Sequence, residues 1–326
     1  MNKTLTILIA LLMLFSFSAL NSMAEISFQD RPDTTKTKKA AAKGKNTTSI
    51  KKDTTKPGTI TYPKPLTGIE KEMAERNDKA AHFYGEGLKS LQANDANGAI
   101  ENFTKSIENY KTPVALLRRG MTYIIVKKYP DAIADLNEAL KMDTTSATGY
   151  FGLGLAFFEM NQIDNAEFNF TKFIARDSSN IQAYNYLAAI NFMKKNYTAA
   201  IHYYDRVIKM NPKFPDAYVN RGMMRHNLND IEGAIKDYNE EINIKPQSPK
   251  AYNNRGAAYL ALQNYEDALK DFTKAIELKN NYAEAYENRG KVKVKLGDTN
   301  GACSDWQEGL KLGMTTCTDL ISKYCK

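Results

Sequence analysis

Three cysteines, three histidines and one recurring asparagine are the residues in this chain whose types and spacing could do chemistry. Cys303, Cys317 and Cys325 all lie near the C-terminus, while His82, His202 and His226 are scattered and share no metal-ligand spacing with them. There is no Cys-x-x-Cys pair, no phosphate-cradling glycine loop and no strained nucleophile turn. Acidic residues are plentiful but fall in the pattern of solvated helix faces. An enzyme is therefore poorly supported, and neither a metal nor a cofactor is expected. Asn220, Asn254 and Asn288 stand 34 residues apart, with Lys250 and Asn253 beside the middle one. An amide offers a donor and an acceptor together. A row of them can hold the backbone of an extended peptide whatever its sequence, or it can simply link neighbouring helices; the spacing leaves both open. Arg119, Arg221, Arg255 and Arg289 also recur, each followed sixteen residues later by Asp135, Asp237, Asp271 or Asp305. This pattern predicts an ion pair between two elements of one unit. Such a pair, if partly exposed, contributes under ~1 kcal/mol.

The elements that position these residues are internal repeats. In steps of 34 an aromatic returns at Tyr150, Tyr184, Tyr218, Tyr252 and Tyr286. A small residue returns at Gly87, Gly120, Gly154, Ala188, Gly222, Gly256 and Gly290. An alanine recurs at Ala99, Ala132, Ala166, Ala200, Ala234, Ala268 and Ala302. A bulky residue recurs at Phe103, Leu136, Phe170, Tyr204, Tyr238, Phe272 and Trp306; the first repeat is one residue short. A fixed period of this length marks a helical repeat array. Within a unit, apolar residues recur at helical spacing in two runs separated by a polar turn such as Gln263-Asn264, so each unit reads as two antiparallel helices. Glycine inside a helix costs about 1 kcal/mol relative to alanine. Its recurrence predicts close approach, with the small residue of the first helix facing the alanine of the second.

The unit from Pro249 to Tyr282 resembles the tetratricopeptide repeat (TPR), whose W/Y, G/A, Y, A, F/Y and A positions fall on Tyr252, Gly256, Tyr259, Ala268, Phe272 and Ala275. The closing proline is present at Pro212 and Pro246. Units start near 80, 113, 147, 181, 215, 249 and 283. The resemblance implies an all-α, right-handed TPR solenoid of about seven helix-turn-helix repeats with a C-terminal capping helix. It also implies that the first helix of each unit lines a concave groove. Carried over, the groove positions of repeats two to four include Leu117, Met121, Phe151, Leu155, Phe158, Tyr186 and Phe192, an apolar strip suited to an amphipathic helix or apolar peptide. Neighbouring helices or tail residues 60–66 are the alternative covering for that strip. Repeats five to seven present Asn220, Lys250, Asn253, Asn254, Glu287 and Asn288 instead.

Residues 1–24 open with Lys3, run through an apolar segment from Leu5 to Leu20 and end in Ser22-Met23-Ala24, the pattern of a signal peptide. The apolar run falls short of the ~20 residues that span a bilayer, so no integral membrane span is expected after cleavage. Residues 25–67 carry ten basic residues against four acidic ones and almost nothing large and apolar. That composition reads as a disordered linker. Most of the formal net charge of +8 thus belongs to the tail, which could meet an anionic surface by charge alone; no specific nucleic-acid contact is expected. The repeat domain spans 68–316 and a capping helix 317–326. That helix, packed antiparallel to the one carrying Cys303 and Trp306, brings Cys325 near Cys303. In an exported chain this favours a Cys303–Cys325 disulfide, worth roughly 3 kcal/mol. Buried thiols, and a free or intermolecular Cys317, remain open. The function expected is a non-enzymatic protein- or peptide-binding scaffold or adaptor of the cell envelope, periplasmic or secreted, that holds a partner segment in the groove. The alternative is a purely structural subunit of an envelope secretion, motility or wall-synthesis complex.

Overall fold

The computed structural model describes residues 68–325, with side chains from 75 onward. The expected signal peptide and basic linker lie outside the described residues. The described chain forms two compact units, one up to Ala156 and one from Phe157.

The first unit holds α1 (Gly68–Gln92), α2 (Ala96–Asn109), α3 (Pro113–Ile125), α4 (Tyr129–Met142) and most of α5 (Ala147–Glu159). The second runs on through α6 (Ile163–Ile174), α7 (Ile181–Met193), α8 (Tyr197–Met210), α9 (Ala217–Asn227), α10 (Ile231–Ile244), α11 (Pro249–Ala261), α12 (Tyr265–Leu278), α13 (Ala283–Lys295), α14 (Thr299–Lys311) and α15 (Cys317–Tyr324). No strand occurs among the described residues. The fold class is the all-α TPR solenoid: odd-numbered helices from α1 to α13 are the first helices of seven repeats, even-numbered ones the second, and α15 is the cap. Helix α1 begins at Gly68, ahead of the repeat start at residue 80.

Local chemistry sets the helix ends. Side chains of Asp95, Thr112, Asn180, Asn196, Asp230, Ser248, Asn264 and Asp298 accept a backbone N–H of the turn they open. Each such cap contributes about 1 kcal/mol. Pro113 and Pro249 occupy first-turn positions where no N–H is needed. The turn between the two helices of a repeat passes through one left-handed residue, always at the same register: Asn94, Lys127, Asn161, Lys195, Asn229, Gln263 and Gly297. Asparagine and glycine suit that conformation best.

All seven ladder alanines are fully buried, and the bulky residues one turn further along the same helices are buried with them. The small-residue ladder faces the bulky ladder as well as the alanines: a methyl on Gly120 would stand 2.9 Å from the Leu136 side chain and 3.3 Å from the Ala132 carbonyl oxygen. A methyl on Gly222 would stand 2.6 Å from the Tyr238 ring, and one on Gly256 would stand 3.0 Å from the Phe272 ring. Glycine is needed because the second helix of the same repeat drives an aromatic ring against the first helix backbone.

Candidate peptide-binding site

Helices α5 and α7 are apolar around most of their circumference, and such a helix is buried on all sides. Phe151 (2 %), Leu155 (6 %), Phe158 (8 %) and Tyr186 (3 %) are accordingly closed to solvent. The apolar strip expected there is therefore not an open groove: these positions are core. Tyr186 stacks on Phe170 with ring centroids 4.9 Å apart and meets Phe158 edge-on at 5.3 Å. Burial pushes its hydroxyl pKa up. Leu117 and Met121 are half-buried, their tips against the glycine faces of α5 at Gly149 and Gly152. Phe192 is half-buried near Tyr197.

The polar positions of α9, α11 and α13 form a connected seam in the second unit. Lys250 Nζ donates to Asn220 Oδ1 at 3.0 Å, joining α11 to α9, and the Tyr204 hydroxyl is hydrogen-bonded to the same amide. Burial pulls the Lys250 pKa down, while the Asp216, Glu241 and Glu284 carboxylates oppose that shift. Asn253 is fully buried. Its Nδ2 donates to Glu284 Oε1 at 3.2 Å, and its Oδ1 accepts from Asn288 Nδ2 at 3.4 Å, joining α11 to α13. Asn253 is thus a bridge inside the stack and not a ligand contact, contrary to the sequence expectation. Asn254 differs from its neighbours in the ladder. Its Oδ1 takes a long 3.5 Å bond from Asn253, and its Nδ2 is buried with no protein partner. A buried unpaired amide costs about 1–3 kcal/mol. Asn220 and Asn288 therefore do link repeats, whereas Asn254 holds an unused donor at the middle rung.

The sequence did not reveal the role of Glu287. Asn185, Val219, Asn253 and Glu287 share one register of the repeat, and all four are buried. A glutamate there needs partners: Glu287 accepts from Lys291 Nζ and Thr316 Oγ1, and its backbone oxygen takes the Trp306 indole N–H at 3.1 Å. The signal available was the register itself, interior in the repeats before it.

The four arginine–aspartate pairs are bidentate. In α11 and α12, Arg255 Nε and Nη2 donate to the two Asp271 oxygens, each at 2.7 Å. Arg119–Asp135, Arg221–Asp237 and Arg289–Asp305 repeat this fork. The aspartates are buried, so the pairs are interior and not the partly exposed kind. Each arginine also reaches a third helix: Nη1 donates to Thr104, Asp205, Asn239 or Thr273 on the second helix of the preceding repeat. One turn on, Arg225 and Lys293 add a second cation to Asp237 and Asp305, while Tyr123 and Tyr259 lay a ring under the guanidinium. These charges are spent on holding helices and neighbouring repeats together.

Cys303 and Cys325 are joined by a disulfide with Cα atoms 5.7 Å apart, and Cys317 is a buried free thiol. Among the described residues no group of three His, Cys, Asp or Glu side chains is placed to hold a metal. Nor is any described helix long and apolar enough to cross a membrane.

Profiles described as tetratricopeptide or TPR repeat match residues 120–161, 147–180, 181–214, 203–236, 222–263 and 249–282. Together they run unbroken over half the chain. The chain belongs to the tetratricopeptide-repeat family. Among curated TPR relatives, the "Heat shock protein STI1" of Saccharomyces cerevisiae is 37 % identical over 103 residues, 31 % of this chain and 18 % of that protein. The "Small glutamine-rich tetratricopeptide repeat-containing protein 2" of Mycosarcoma maydis is 32 % identical over 103 residues, 31 % of this chain and 29 % of that one. The match thus spans less than a third of either relative. A solved TPR protein from Parabacteroides merdae superposes with TM-score 0.53 at 16 % identity, over 76 % of this chain and all of that one. YrrB, titled "a TPR protein with an unusual peptide-binding site", superposes with TM-score 0.54 at 24 % identity, over 57 % of this chain and 97 % of that one. TPR proteins are protein-binding scaffolds and adaptors, and those related to this chain are generally not enzymes.

Proposed function

We propose that this protein is a non-enzymatic adaptor of the cell envelope that holds an extended, polar segment of a partner along α9, α11 and α13. The observation that carries this reading is the unpaired Asn254 Nδ2, set between two inter-repeat bridges. A peptide carbonyl is the acceptor such a donor lacks, and the Asn254 side chain is itself half-buried rather than closed off. Half-buried Asn220, Asn288 and Lys250 flank the site. Support for export comes from the leader-like pattern of residues 1–24 and from a disulfide, which persists in oxidising compartments. The basic residues of 25–67 suit contact with an anionic envelope surface. A second reading, a purely structural subunit, is favoured by one observation: the apolar positions Phe151, Leu155, Phe158 and Tyr186 are closed.

In-cell photocrosslinking from position 254, with exposed Lys270 on α12 as the control, separates the two. The adaptor reading expects a discrete partner from position 254 and none from 270. Capture from 270 alone would overturn it in favour of the structural subunit.

A further inference from the structure

Helix α15 has little of its own to hold it in place. It is eight residues long, and a helix this short is marginal in water. No side chain caps its N-terminus, because the Thr316 hydroxyl is turned onto Glu287. Cys317 is its only fully buried residue; Leu320 and Ile321 are half-buried and the rest of the helix is exposed. Yet what it covers is the end of the core: Ala302 and Trp306, both inaccessible to solvent, with Tyr324 lying 5.5 Å from the indole. The bond from Cys325 to Cys303 fastens the far end of α15 to α14. Both half-cystines are partly exposed.

We propose that the Cys303–Cys325 disulfide is a redox latch on the last repeat: reduction releases α15, uncovering the Ala302–Trp306 face and the Cys317 thiol, and oxidation closes it again. The reductant is a dithiol. One of its thiolates attacks a sulfur of the bridge, forming a mixed disulfide and releasing the other cysteine as a thiol. Its second thiol then displaces the remaining cysteine, so that two electrons and two protons pass to Cys303 and Cys325 and the dithiol leaves as its own disulfide. The uncovered face is apolar, the end on which a further helix would stack.

Two built-in reporters make the latch measurable. Trp306 is the sole tryptophan. Docking also holds the Cys317 thiol up at about 11 by burial, so release lowers its pKa as well as exposing it. The experiment is peptide-resolved alkylation of Cys317 by iodoacetamide in the full chain at pH 8, with and without dithiothreitol, alongside Trp306 emission. Reduction is expected to speed Cys317 alkylation at least tenfold and shift Trp306 emission to the red. The variant Cys303→Ser with Cys325→Ser is expected to match the reduced protein without reductant, with helix content otherwise retained. A Cys317 rate that changes less than twofold on reduction would overturn the latch, as would three free thiols in the air-oxidised protein. Loss of helix content across the repeats on reduction would also overturn it, since the bond would then hold the whole fold and not the cap.

Discussion

Replacing Arg255 by leucine should destabilise the protein by about 3–5 kcal/mol, because it leaves Asp271 buried and unpaired. The Asp271 side chain keeps 7 % of its surface, and both oxygens depend on Arg255. The lost Nη1 contact to Asn239 adds little, because Asn239 is half-exposed and water replaces the partner. The remedy is written elsewhere in the chain. The third repeat carries Leu153 and Asn169 at the two equivalent positions, both buried, with the Asn169 amide satisfied by the Asn165 carbonyl oxygen at 2.8 Å. Arg255→Leu combined with Asp271→Asn should therefore recover most of the loss, ending within about 1–2 kcal/mol of wild type and giving a coupling at the upper end of the 0.5–3 kcal/mol range for contacting residues. At roughly 2–4 °C per kcal/mol for a domain of this size, the single variant should melt about 10 °C lower at pH 7, read by circular dichroism. A pH series supplies a second signature. Burial already raises the Asp271 pKa and Arg255 opposes it; without the arginine it rises further. A carboxyl whose folded pKa exceeds its unfolded value of ~3.9 binds more protons when folded, so stability recovers as pH falls through that window. The deficit of the single variant should narrow on acidification. A loss below ~1 kcal/mol, or a double variant no more stable than the single, would refute the interior-pair reasoning.

Asn254→Ala removes no inter-repeat bridge, so the melting temperature should stay within a degree or two while partner capture at the seam falls; unchanged capture would remove the amide from the site. Asn253→Ala should do the reverse and lower stability by about 1–3 kcal/mol, because it strips Glu284 and Asn288 of their partner. Tyr238→Phe deletes a buried hydroxyl with no partner and places the ring that Phe103, Phe170 and Phe272 already use, so urea unfolding should show a gain of up to about 1 kcal/mol. Burial lowers the His226 pKa below its ordinary 6.5. The unfolded chain then binds more protons in the window just under 6.5, and stability should fall on acidification through it. In His226→Gln that part of the pH dependence should vanish.

The period of 34 residues determined the repeat architecture by itself, because each TPR unit buries its apolar stripe against its immediate neighbours and every register repeats the same contact. The alanine and bulky ladders, the arginine–aspartate pairing and the capping helix were legible for that reason. What no single register carries is which side of a helix is left open. Phe151, Leu155, Phe158 and Tyr186 sit at groove positions by family analogy, yet α5 and α7 are apolar all round and the fold closes over them. The nearest partner of each glycine was likewise decided in three dimensions: aromatic rings lean onto Gly222 and Gly256. The asparagine ladder reads as three equal rungs in sequence. Only the tertiary structure separates them, because a hydrogen bond depends on which neighbour comes within reach: Lys250 and Asn253 satisfy the outer two, and Asn254 is left with a donor and nothing to give it to.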